Sequence, residues 1–257
     1  MRAPCYPRQH SIPKDTMRRI VPLLASSVVA LAASASVASA AVAHTPSAST
    51  ELHAALSLVT AAGSMTVAGS VTTSGAVGGT QMITSTTSTG QQVIVHDGAT
   101  QSTRVVNGRC FVQFNAKGLL TVFGTSKTTW ANKWIEVPKS DPNYASVSSG
   151  ITLASALKMM TPAAPLSFAA STTVHGTAAT AITGKVSQSI TGGAKVTGSE
   201  TLYVATAAPH TPLRLVVHAI GSGKSLTLDF AVSHVGSTSA TSSPATSTKI
   251  SKTGLEG

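Results

Sequence analysis

The hydrophobic pattern of this 257-residue chain changes period several times. Ile20 to Ala33 is apolar, broken only by Pro22 and two serines. Met17-Arg18-Arg19 precedes it, and the small-residue sites Ala38-Ser39-Ala40 and Ala41-Val42-Ala43 follow. A basic start, an apolar run and small-residue cleavage sites make an export signal. The run is shorter than the roughly 20 apolar residues of a membrane span and is diluted by serine. Residues 1–43 are therefore predicted to be a signal peptide. Met17 is an alternative start, because residues 1–16 carry Pro4, Pro7 and Pro13 and fit neither helix nor strand.

Residues 44–49 form a Ser/Pro linker. Leu52, Ala55, Leu56 and Val59 then recur at helical spacing, with Thr50 as predicted cap, Glu51 in the first turn and Gly63 as the stop. After Gly63 the period becomes two: Met65, Val67, Gly69 and Val71 alternate with small and polar residues. Further β-rich runs are Thr80 to Thr87, Gln92 to His96, Arg104 to Val106, Cys110 to Phe114 and Lys133 to Val137. Asp97-Gly98 and Asn107-Gly108 between them are hairpin signals, so the runs predict an antiparallel meander. Lys139 to Gly150 reads as a polar loop. Ile151 to Met160 reads as a helix with Leu153, Ala156, Leu157 and Met160 on one side, ended by Pro162 and Pro165. Strands resume at Ser171 to His175, Ala179 to Val186, Glu200 to Ala205, Leu213 to Ile220 and Ser225 to Val232. The last two are joined at Gly221-Ser-Gly223. Residues 237–257 are predicted to be a Ser/Thr-rich mobile tail with at most a short edge strand.

Composition narrows the class. The chain is 42% hydrophobic but only 10% charged and 4% aromatic; ordinary domains carry about 25% charged residues. Ser, Thr, Gly and Gln must therefore cover the surface, which suits an extracellular protein. The formal charge of +10 overstates the domain. Arg2, Arg8, Lys14, Arg18 and Arg19 leave with the signal against Asp15, so +6 remains, scattered from Arg104 to Lys252. Nucleic-acid readers cluster their basic residues, so nucleic acid is excluded as a partner, while weak contact with an anionic membrane surface or cell-wall polymer is compatible. Processing leaves Cys110 alone, so no intramolecular disulfide forms and stability must come from a core. A lone strand cysteine reads as a small buried apolar residue.

Motifs for catalysis do not assemble. Gly221-Ser-Gly-Lys-Ser225 resembles the end of a phosphate loop, but His218 stands where another glycine is needed and Leu226 onward reads as strand. Ser155-Ala-Leu-Lys158 and Lys252-Thr-Gly254 match penicillin-interacting serine enzymes, yet no Ser-x-Asn lies suitably between them. The mature histidines show no metal-ligand spacing. No enzyme activity, cofactor or metal is expected.

The order of elements carries a resemblance. A helix precedes Met65-Thr-Val-Ala-Gly-Ser-Val71. Then come Val105-Val-Asn-Gly-Arg-Cys-Phe-Val112, Trp130-Ala-Asn-Lys-Trp-Ile-Glu-Val137 and a second helix. Val174-His-Gly176, Glu200-Thr-Leu-Tyr-Val-Ala205, Pro209-His-Thr-Pro-Leu-Arg-Leu215 and a strand with Leu228, Phe230 and Val232 complete the series. Over residues 50–236 this resembles the LppX/LprG-like lipoproteins of actinobacteria, which share the fold of the lipoprotein carrier LolA. The resemblance implies an α+β fold, a half-open antiparallel β-barrel whose curved sheet has helices over its concave face. It implies an apolar cavity for acyl chains between sheet and helices. Family lipoproteins carry a cysteine at the end of the signal, which anchors them; Ser36 to Ala43 contains none and Cys5 is too early.

The leading expectation is a secreted, non-catalytic carrier for a lipid or other acylated ligand. Val67, Val71, Val93, Val95, Trp134, Leu153, Leu157 and Met160 are the expected cavity residues, from strand alternation facing an apolar helix stripe. The alternative is an extracellular sensor or interaction module that contacts a cell-envelope protein or polymer.

Overall fold

A computed structural model describes residues 46–249, except 75, 124–127, 142–143, 188–195 and 222. The expected signal peptide lies outside the described residues, as do Lys252 and the last eight positions.

Helix α1 spans Ala48–Ala62. Its N-cap is Ser47, whose hydroxyl accepts the Thr50 amide; Thr50, the expected cap, is already inside the first turn. Gly63 closes the helix in the left-handed region (φ 75°), where glycine meets no steric penalty. Ala48, Leu52, Ala55 and Val59 form its buried stripe.

The meander then runs β1 (Ser64–Thr73), β2 (Ala76–Thr86), β3 (Thr89–His96), β4 (Ala99–Val106) and β5 (Arg109–Phe114). Helix α2 (Ala116–Phe123) follows, which the sequence pattern had not suggested. Asn115 starts it: its side-chain oxygen accepts the Gly118 amide at 2.7 Å. Strand β6 is Ile135–Val137. The expected polar loop 139–150 contains a short helix, α3 (Tyr144–Ser148), docked by Tyr144 donating to the Gly108 carbonyl at 2.6 Å. Helix α4 is Leu153–Met159. Pro162 follows it, but Pro165 is not a terminator: it lies inside β7 (Ala163–Val174), an edge strand that starts well before the expected Ser171. At a sheet edge a missing N–H is tolerated. Strands β8 (Thr177–Lys185), β9 (Thr197–Ala205), β10 (Pro212–Gly221) and β11 (Lys224–Ser233) complete the second run, and β12 (Thr248–Lys249) is a two-residue addition.

All twelve strands form one curved, unclosed sheet in the order β12-β6-β5-β4-β3-β2-β1-β11-β10-β9-β8-β7. Pairing is antiparallel except for β12 on β6. The first and last long strands meet at the centre, where β1 pairs with β11 from Thr66↔Ser233 to Thr73↔Leu226. This is the half-open α+β architecture expected from the resemblance. Side chains alternate between two faces. One face packs against the helices and carries two apolar clusters. The larger joins α1 and α4 to Met65, Val67, Ile83, Leu202, Leu215 and Phe230. The smaller joins α2 and α3 to Val105, Cys110, Val112, Phe114 and Ile135. The segment 237–249, expected to be mobile, is strapped to the sheet. The Thr238 amide donates to Ser64 Oγ, the Thr241 amide to Thr89 Oγ1, and Arg104 to the Ser242 carbonyl.

Candidate ligand-binding cavity

The cavity begins with the placement of α4. Ser85 donates from its hydroxyl to the Ile151 carbonyl at 2.7 Å, fully buried. Directly opposite, Gly90 lets the Ile151 backbone approach so closely that a Cβ there would collide with the Ile151 carbonyl. These contacts fix the chain just before Thr152, which caps α4. The Ser155 hydroxyl is spent on that same turn, donating to the Thr152 carbonyl at 2.9 Å. Ser155 is therefore not poised as a nucleophile.

Under α4 lies a cavity of about 80 Å³. Its sheet wall is Val67, Ile83, Leu215, Leu228 and Phe230; its roof is Ala156, Met159 and Met160 of the α4 turn. Gln81 supplies one polar edge. Beyond it the apolar surface continues through partly buried Val71, Leu157, Val186, Val196 and Leu226.

The eight expected residues divide. Val67, Leu153 and Met160 are buried in the larger cluster, and Val71 and Leu157 pack against it. Val67 and Met160 line the cavity itself. Val93, Val95 and Trp134 do not join them. Val67 pairs with Ile83, and Ile83 with Gln92, so Gln92 and Ile94 hold the helix-side positions of β3 while Val93 and Val95 point to the far face. The run Val93-Ile94-Val95 is apolar in both phases, so alternation alone could not choose the face. Trp134 stacks beneath Arg104, 4.6 Å from guanidinium carbon to ring centroid. Arg104 pairs with Gln91 and therefore leaves the sheet on the far side. Ile83, Leu215, Leu228 and Phe230 line the cavity without having been singled out as cavity residues, and Met159, which the sequence offers beside Leu157 and Met160 as a flexible cover, lines it too. The period-two series Leu226, Leu228, Phe230, Val232 was the signal for two of them.

The far face has its own groove of about 830 Å³, with Ala68, Met82, Val93 and Val95 against Val174 and His175. Arg214 and Asp229 stand in its wall as a two-pronged ion pair, 2.7 and 2.6 Å, each holding the other in its charged form. Their charges are mutually satisfied.

One carboxyl stands apart. Glu200 of β9 is fully buried on the helix side, in the row Val71, Leu228, Val217, Glu200, Gly184. Burial pushes it up to about 7. The Ser187 amide, donating to Glu200 Oε2 at 2.9 Å, offsets part of that push; so, more weakly, does the Ser187 hydroxyl, whose geometry falls short of a hydrogen bond. Cys110 is also fully buried, and desolvation raises its thiol to about 12, which makes it an inert core residue. Among the described residues no three His, Cys, Asp or Glu side chains gather as a metal site. No described helix is long and apolar enough to cross a membrane.

No family model and no curated protein matches the chain. Solved structures do. Mycobacterium tuberculosis lipoprotein LppX is 16% identical over 72% of this chain and 92% of its own, with a TM-score of 0.42. LprF from Mycobacterium bovis is 14% identical over 77% of this chain and 97% of its own, TM-score 0.45. A LolA superfamily protein from Nitrosomonas europaea is 10% identical over 73% of this chain and 93% of its own, TM-score 0.32. The likeness is one of fold alone.

Proposed function

We propose that this protein is a non-catalytic, exported carrier that holds the acyl part of a lipid or other acylated ligand between its sheet and α4. The observation that supports this most is the apolar cavity under α4, walled by rigid strand residues and roofed by two methionines. Pockets for small ligands run to roughly 300–1,000 Å³, so the cavity of about 80 Å³ must widen on loading. The roof suits that change. Met159 and Met160 are unbranched and repack easily, and α4 is only seven residues long. Location at the cell envelope or outside it belongs to this reading.

Leu157 tests it. Replacing Leu157 with Asn puts a polar group on the partly buried flank of α4 while leaving the strand walls intact. The variant should fold with a similar circular dichroism spectrum and lose bound lipid in native mass spectrometry. Retention equal to wild type would count against the cavity. The far-face groove, where Met82 is 43% and Val95 39% exposed, favours the alternative reading of an interaction module. That reading expects Met82→Glu with Val95→Glu to abolish capture of a cell-envelope component and leave lipid content unchanged.

A further inference from the structure

Three side-chain polar atoms among the described residues are buried without a hydrogen-bond partner: Arg104 Nε, Ser187 Oγ and Glu200 Oε1. Two of the three stand side by side. Glu200 Oε2 accepts the Ser187 amide, so the free carboxyl oxygen and the free hydroxyl belong to one local cluster. A buried polar group left without a partner is destabilising, and native proteins rarely keep one without a use. Both groups lie on the helix side of the sheet. Leu228, which lines the cavity, is separated from Glu200 by Val217 alone. Strands lie about 4.8 Å apart, so the carboxyl sits roughly 10 Å across the sheet from the cavity wall. Partly buried Val186, just after β8, and Val196, just before β9, pack against the same apolar cluster.

We propose that Glu200 and Ser187 are the polar anchor of the carrier cavity and take the ester carbonyl of an acylated ligand. This rests on the carrier reading above. Glu200 Oε2 is occupied by the Ser187 N–H, so a neutral carboxyl carries its proton on Oε1. Oε1–H and Ser187 Oγ–H are then two neighbouring donors; where one serves the other a hydroxyl proton is still left over, and a carbonyl oxygen can receive it. An ionised carboxylate with an ammonium ligand would place two charges in this apolar row, where desolvation works against both. Gly184, Val217, Leu228 and Val71 share the row and Leu202 is the next helix-side residue of β9; none of them titrates. The acid form is favoured because burial raises the carboxyl to about 7.

The test compares dioctanoylglycerol, which has ester carbonyls, with the dioctyl diether of glycerol, which has none, titrated into the full-length protein by calorimetry. Wild type should bind the diester about five- to tenfold more tightly, the worth of a hydrogen bond or two. Glu200→Gln should keep the preference, since its amide N–H stands where Oε1–H stood. Glu200→Leu combined with Ser187→Ala should bind both lipids as wild type binds the diether. The wild-type preference should fade between about pH 6 and about pH 8.5 as the carboxyl ionises, and that of Glu200→Gln should not. This comparison decides the matter if the double variant fails to fold. Equal binding of both lipids by wild type would overturn the anchor alone and mark the cluster as a water site. A diester preference that survives the double variant, or a Glu200→Gln profile that follows wild type, would also overturn it. Binding of neither lipid would overturn the anchor together with the carrier reading.

Discussion

Glu200 makes the strongest statement at the residue scale. A carboxyl raised from 4.5 to about 7 in the folded protein holds its proton where the unfolded chain has lost it. Its contribution to stability is therefore complete below about pH 4.5 and is lost as pH rises through about 7. At about 1.4 kcal/mol per pH unit, that window is worth about 3 kcal/mol. Urea unfolding of wild type and Glu200→Gln across it should show the two diverging as pH rises, wild type weakening more; parallel curves would mean Glu200 is solvated. Glu51 contacts His210 Nδ1 at 2.8 Å and ties α1 to the loop before β10. Cys110 should resist thiol reagents in the native state and react once the protein unfolds, since its sulfur is buried and protonated. Labelling at native rates equal to those in denaturant would place it at the surface instead.

The decisive contact at the scale of elements is the docking of the α3–α4 connection on β2 and β3. Ser85→Ala removes the donor to the Ile151 carbonyl and leaves that oxygen buried, at a cost of about 1–3 kcal/mol. Gly90→Ala drives a methyl group into the same carbonyl and must shift the connection. Both should lower the melting temperature, and Gly90→Ala should also change lipid retention because it displaces the roof of the cavity. A Gly90→Ala protein with wild-type stability would show that α4 is not held there. Most elements were legible in the sequence: α1 from its 3-4 spacing, the β4–β5 hairpin from Asn107-Gly108, and β10–β11 from two long apolar strands around glycine. α2 and α3 were not. Each is short, and each is held by a contact distant in sequence or by a cap such as Asn115, while local composition reads as loop.

At the largest scale, the described residues form an open sheet with two unlike edges and a strap. Residues 237–249 run from the end of β11 past Ser64, Thr89 and Arg104 to a parallel pairing with β6. Removing residues 237–257 deletes these bonds at about 0.5–1.5 kcal/mol each. The truncated protein should unfold at lower urea and expose Trp134 to quenching; unchanged unfolding would mean the strap is ornamental. The opposite edge, β7, carries no charged residue and an exposed Phe168, the kind of edge on which strands of other chains can add.

The sequence by itself determined the strand and helix periods, the turn positions and the apolar stock from which a core must form, because these follow from local sterics and from burying alternate side chains. It also determined that residues 46–249, with Cys110 as their one cysteine, form no disulfide among themselves. Only the tertiary structure decided which face of β3 looks at the helices, because Val93, Ile94 and Val95 satisfy either phase and register is set by pairing with Ile83 across the strand. It likewise decided that residues 237–249 are bound, and that Glu200, unremarkable in an alternating strand, is closed off from water with one oxygen unmatched. Burial and partnership are relations between distant residues, and no local pattern encodes them.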